Sequence, residues 1–199
     1  MSTPSDPQVP RAVFYGSGPP RRRPPVSFLP GDHVVGGVAP VRIIAWRDVR
    51  AAIVLDTVSC FPNGFGFSVT ARTREGFPAR ELPPMPRDDL SLPETVRVGV
   101  IFSDDRAVFS DVPGASDVPG MAVHPGGRGP VLTAQGSLGG PWRMDRHYFV
   151  SPLPPPGPVV FVFTWPLYAV DQVRTVVDGG ELSAAAAQSI TLWPGEPAE

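Results

Sequence analysis

Residues 151–166 read SPLPPPGPVVFVFTWP: five prolines lead into the most apolar run of the chain, and a sixth closes it. Proline has no backbone N–H to give to a ladder and cannot continue a helix, so it belongs at strand starts, edges and crossovers. A chain that sets prolines beside its most hydrophobic segment is therefore built from short strands. Residues 152–158 are expected to form a stiff, non-pairing connector between two strands. Residues 159–165 are apolar at nearly every position, the pattern of a central strand covered on one face by an opposing sheet and on the other by a helix or loop. Phe161 and Phe163 are expected in the core. Pro166 stops the strand and keeps an apolar segment from growing into an open edge.

The same punctuation runs through the chain, which has 21 glycines and 28 prolines among 199 residues, clustered between apolar runs. VAPVRIIAW (38–46) reads as a first strand with RDVR as its turn. AAIVLDTVSCF (51–61), the turn PNG (62–64) and FGFSVTARTR (65–74) read as a hairpin, since Asn-Gly tolerates positive φ. In its second arm Phe65, Phe67, Val69 and Ala71 alternate with Gly66, Ser68, Thr70 and Arg72, as in a strand half-buried on a core. TVRVGVIF (95–102) places Val96, Val98, Val100 and Phe102 on one face; SDDR turns the chain and AVF (107–109) returns it. PVLTAQGS (130–137), WRMDRHYFV (142–150) and QVRTVVD (172–178) are further strands. Residues 75–93 and 111–129 read as long loops, the second carrying two DVPG turn signals. ELSAAAAQS (181–189) is the one convincing helix, with Asp178 as its candidate cap.

These elements predict an all-β fold: a two-sheet antiparallel, immunoglobulin-like sandwich with one short C-terminal helix. Residues 1–30 are expected to be a disordered or extended Pro- and Arg-rich tail, 31–194 the β-sandwich domain, and 195–199 a short tail. The ordering FPNGFGFSVTARTR, VRVGVIFSDDR, YFVSPLPPPGPVVFVFTWP and AAAAQSITLWP, over residues 38–194, resembles a family of uncharacterised small β-sandwich proteins from GC-rich bacteria. The resemblance implies an independently folded sandwich and carries over no catalytic residue.

All 17 basic residues are arginine, the usage of a GC-rich genome, and the net charge is −2. No global basic field draws the chain to nucleic acid. The single cysteine, Cys60, excludes an intrachain disulfide and a multi-cysteine zinc site. No apolar run approaches the ~20 residues of a membrane helix. The N-terminus has no uninterrupted apolar core of a secretory signal, so a cytoplasmic location is expected.

Candidate chemistry is sparse. His33, His124 and His147 are far apart, and a metal site would need them to converge with Asp32 or Asp145. Asp88, Asp89, Asp104, Asp105, Asp111 and Asp117 sit in predicted loops; Asp104, Asp105 and Asp111 are weak candidates for a calcium site, which wants six to eight oxygens. Ser59 and Cys60 lack any nucleophile-elbow or cysteine-protease signature, and no phosphate-binding loop occurs. The more suggestive set is arginine: Arg72 and Arg74 share one face of a strand and Arg97 the polar face of another. If those strands are neighbours, the three form a binding stripe, with Arg80 and Arg87 nearby. The expected role is a non-enzymatic domain in protein–protein interaction or self-association, or a structural component, with no cofactor. The alternative is a small-ligand or calcium-dependent module using loops 75–93 and 111–129.

Overall fold

A computed structural model describes residues 29–77, 93–110, 121–123 and 129–193. Among them the strands run, in chain order, β1 (Val34–Val35), β2 (Gly37–Ala39), β3 (Ile43–Arg47), β4 (Ala51–Phe61), β5 (Gly64–Thr73), β6 (Arg97–Ile101), β7 (Ala107–Phe109), β8 (Met121–Val123), β9 (Val131–Gly140), β10 (Arg143–Ser151), β11 (Pro158–Trp165), β12 (Val170–Asp178) and β13 (Ile190–Thr191). The helix α1 (Gly179–Ala186) lies between the last two strands, and a 3-10 turn (Pro166–Tyr168) follows β11. Residues 1–28 of the expected N-terminal tail, residues 194–199 and most of both long loops lie outside the described residues.

All the pairing is antiparallel. Seven strands form one sheet in the order β2–β4–β5–β10–β9–β8, with β3 also on β4; four form a second, β12–β11–β6–β7; β1 and β13 form a third. The all-β expectation is met, and beside the two larger sheets the described strands form a small third one. Its strands are two residues each, too short to leave a periodic signal, and they pair only because the two ends of the described chain meet (Val34 opposite Thr191, Val35 opposite Ile190). The expected first strand is likewise two. Pro40 interrupts it, and β2 and β3 flank different parts of β4. The loop 111–129 contains β8, which adds to β9.

The hairpin of residues 51–74 forms as β4 and β5, but its two turn residues are Pro62 and Asn63, with Phe61 opposite Gly64. Asn63 takes no positive φ; its side-chain amide instead donates to the Leu29 carbonyl at 2.5 Å. At the next hairpin, Asp48 Oδ1 accepts the N–H groups of Arg50 and Ala51, each at 2.7 Å, and closes the β3–β4 turn.

Phe65, Phe67, Val69 and Ala71 of β5 point into one apolar cluster with Val96, Val98, Val100 and Phe102 around β6, and Val159, Phe161, Phe163 and Trp165 of β11. The central position expected for residues 159–165 is observed: β11 runs between β12 and β6. Rings from the two larger sheets meet edge to face, Phe67 with Phe161 at 5.1 Å and Phe65 with Phe161 at 6.2 Å. The buried Trp165 indole N–H donates to the Glu94 carbonyl at 3.0 Å and its ring meets Tyr168 at 4.5 Å, so its one polar atom is satisfied. On the far side of the four-stranded sheet, the Phe109 ring lies over the space a side chain at Gly99 would need.

The connector 152–158 carries the chain from the seven-stranded sheet to the four-stranded one, held by the Ser103 hydroxyl donating to the Pro156 carbonyl at 2.9 Å and Gly179 N–H donating to the Gly157 carbonyl at 2.8 Å. Asp178 caps α1 as expected, accepting the Gly180 N–H at 2.9 Å. The helix buries Leu182, Ala185 and Ala186 in the common cluster and lies on β2, β4, β5 and β12. The Ala185 carbonyl occupies the place a Cβ on Gly37 would take. No helix among the described residues is long and apolar enough to cross a membrane.

Candidate functional site

The side of β5 turned away from the core was expected to face water, and only part of it does. Arg72 is exposed, whereas Ser68 and Thr70 are buried. The reason lies in the neighbours. Small side chains in the middle of a wide sheet are screened by longer ones on the adjacent strands, and here they also bond to them. The Thr70 hydroxyl donates to Asp145 Oδ1 at 2.6 Å. The Ser68 hydroxyl donates to the Asp56 carbonyl at 2.6 Å.

Strand register turns this face into rows. Arg47 pairs with Ala52, Ala52 with Arg72, Arg72 with Arg143, and Arg143 with Gly140. Register partners share a face, so Arg47, Arg72 and Arg143 form one lateral row across β3, β4, β5 and β10. The next row is Ile44, Val54, Thr70, Asp145 and Leu138. Behind it lie Asp56, Ser68, His147 and Gly136. Ile44 and Leu138 are 55% and 71% exposed.

Asp145 is the organising carboxylate. It is buried, and its Oδ2 accepts from Arg143 Nε at 2.7 Å while Oδ1 takes the Thr70 hydroxyl. Arg143 is thereby drawn toward Asp145. Arg72 and Arg47 have no carboxylate partner among the described residues. At the edge of the same face, Arg42 Nε donates to Asp56 Oδ1 at 2.8 Å, and this bond holds the Asp56 carboxyl below its ordinary value.

The stripe proposed from sequence is reassembled differently. Arg72 and Arg74 both lie at the end of β5, and the Arg74 N–H donates to the Arg50 carbonyl at 2.7 Å. Arg97 is on β6 in the four-stranded sheet, opposite Thr164. The strands of Arg72 and Arg97 are therefore not neighbours, and the condition for a shared stripe is not met. Arg47 and Arg143 take that place. Arg50 is committed elsewhere, to Asp48 at 3.3 Å and over the Tyr168 ring at 5.2 Å. Arg80 and Arg87 lie outside the described residues.

Register also sets His147 opposite Ser68, two residues from Asp145. The residue types are those of a hydrolytic triad, but the Ser68 hydroxyl is already given to a backbone carbonyl and the residue is buried, so it is not activated. Cys60 is buried in the core and burial pushes its thiol up to about 11, which leaves it a small apolar side chain. Asp104 is bound by Arg106 at 2.7 Å beside Asp105 in the β6–β7 turn; Asp88, Asp89, Asp111, Asp117 and His124 lie outside the described residues. No group of three or more His, Cys, Asp or Glu side chains gathers at metal-binding distance among the described residues. Arg146 is buried on the core side of β10 between Val69 and Ser137.

No protein-family model, curated protein or solved structure matches the chain.

Proposed function

We propose that the chain is a non-enzymatic β-sandwich domain that acts in protein–protein interaction through the open face of its seven-stranded sheet. The seven- and four-stranded sheets are the two layers of the sandwich. The cross-sheet Phe65–Phe161 and Phe67–Phe161 contacts support this layering. So do the chain's passages from one sheet to the other after β5, β7 and β10, which is the crossover habit of immunoglobulin-like folds.

The observation that carries the interaction reading is the composition of the open face. It holds arginines beside exposed aliphatics, Ile44 and Leu138, on a broad surface that the core does not use. Arginine with apolar neighbours is the mixture enriched in binding hot spots. The test is a photo-crosslinking residue placed at Leu138, with Asp171 on β12 as control, in the cell that makes the protein. A discrete adduct at Leu138 and none at Asp171 is expected. Equal adducts at both, or none at either, would contradict the reading.

A further inference from the structure

The arginine row has a charge imbalance opposite in sign to the whole chain. The formal net charge is −2; yet Arg47, Arg72 and Arg143 are aligned in one row with Asp145 as the single carboxylate engaging it among the described residues. The row spans three inter-strand steps, roughly 14 Å, and its members lie within about one or two Debye lengths at physiological salt. Like charges directly opposite each other on neighbouring strands are destabilising, and Arg72 stands directly opposite Arg143 on two central strands. Asp145 relieves Arg143, whereas Arg72 and Arg47 extend from the face without a carboxylate among the described residues.

The neighbouring row decides what kind of anion fits. One pleat away, roughly 7 Å along the strands, Ile44 and Leu138 stand exposed on either side of Val54, Thr70 and Asp145. A polyphosphate backbone gains nothing from those aliphatics. It also finds no aromatic stacking platform in either row. A polypeptide with acidic side chains along one edge and apolar ones along the other satisfies both rows together.

We infer that the Arg47–Arg72–Arg143 row docks an acidic, amphipathic polypeptide segment lying across the strands, its carboxylates on the arginines and its apolar side chains on Ile44 and Leu138. This rests on the reading of the open face as an interaction surface and names the chemistry of its partner.

The test is fluorescence anisotropy with a short labelled peptide alternating glutamate and leucine. A lysine–leucine peptide of equal length and an oligothymidine of equal charge are the comparisons. The glutamate peptide is expected to bind, more weakly as salt rises, and to lose roughly tenfold or more in Kd in the Arg47→Glu, Arg72→Glu double variant. Arg174→Glu on the exposed side of β12 should leave binding unchanged. If the charge reversals lower the melting temperature, Arg47→Gln with Arg72→Gln must still weaken binding in a chain of unaltered stability. Tighter binding of oligothymidine would overturn the polypeptide assignment. Equal binding of the lysine peptide would overturn the charge argument. Absence of glutamate-peptide binding while the Leu138 crosslink persists would remove the acidic partner and leave the interaction surface standing; absence of both would remove both.

Discussion

Phe67 of the seven-stranded sheet and Phe161 of the four-stranded sheet meet edge to face at 5.1 Å, with their rings 81° apart. Phe161 also touches Phe65 and stacks on Phe163 at 6.5 Å, so one side chain joins the two layers. A buried Phe→Ala change costs ~3–5 kcal/mol, a large part of the ~5–15 kcal/mol that holds a domain together. Phe161→Ala and Phe163→Ala should unfold at much lower urea concentration or fail to accumulate. Arg72→Ala, on the open face, should melt like wild type. Wild-type stability of Phe163→Ala in urea titration would contradict the placement of β11.

Gly37 is required by the helix, not by a turn. A Cβ at this position would coincide with the Ala185 carbonyl, and backbone cannot give way as a flexible side chain does. Gly37→Ala should therefore destabilise by ~1–3 kcal/mol. Gly140, whose Cβ would meet nothing within 4 Å, should accept alanine with little change. Denaturant midpoints of the two variants make the comparison.

The Arg42–Asp56 bond gives an acid-side signature. The Arg42 guanidinium depresses the Asp56 carboxyl below its ordinary 3.8. A depressed folded-state value means the stabilisation is fully present above about pH 4 and is lost as pH falls through the folded value. The pair is partly solvated, so its worth is ~0–1 kcal/mol. Melting temperature followed from neutral to acidic pH should fall less steeply below pH ~4 in Asp56→Asn than in wild type. An identical acid limb would contradict the pairing.

Cys60 is wholly buried, and burial raises its thiol to about 11. At pH ~8 only about one thiol in a thousand is ionised, and that fraction is inside the core. Reaction with a thiol-specific disulfide reagent should proceed at the rate of unfolding and become immediate in denaturant. Rapid labelling of the native protein would show that the β4 strand is open.

Much of the architecture was legible because it is written in local pattern. Residues 159–165 announce a central strand by being apolar at nearly every position, residues 51–74 a hairpin by two apolar runs around the PNG turn, although the turn residues are Pro62 and Asn63 rather than Asn-Gly, and Asp178 announces a helix start. The arginine row was not legible, because it depends on register across four strands. Three bulges also shift the pairing within this sheet, one at Ala45, one at Thr57, where φ is 49°, and one between His147 and Tyr148. Each offset of one residue exchanges the two faces of a strand, and no single-strand alternation shows where a bulge falls. Arg72 was found from its own strand. Its partners Arg47 and Arg143 were missed because they become neighbours only through the pairing of four strands, while Arg97, with equal sequence credentials, belongs to the other sheet.

The open face of the seven-stranded sheet is proposed as the docking surface. Side-chain NMR reads it directly: the methyl resonances of Ile44, Leu138, Val35 and Ile190, and the Arg72 Nε–H, are followed while the glutamate–leucine peptide is added. Ile44, Leu138 and Arg72 should shift together and saturate at one concentration, while Val35 and Ile190 of the two-stranded sheet stay in place. Shifts at Val35 and Ile190 with Ile44, Leu138 and Arg72 unmoved would contradict it.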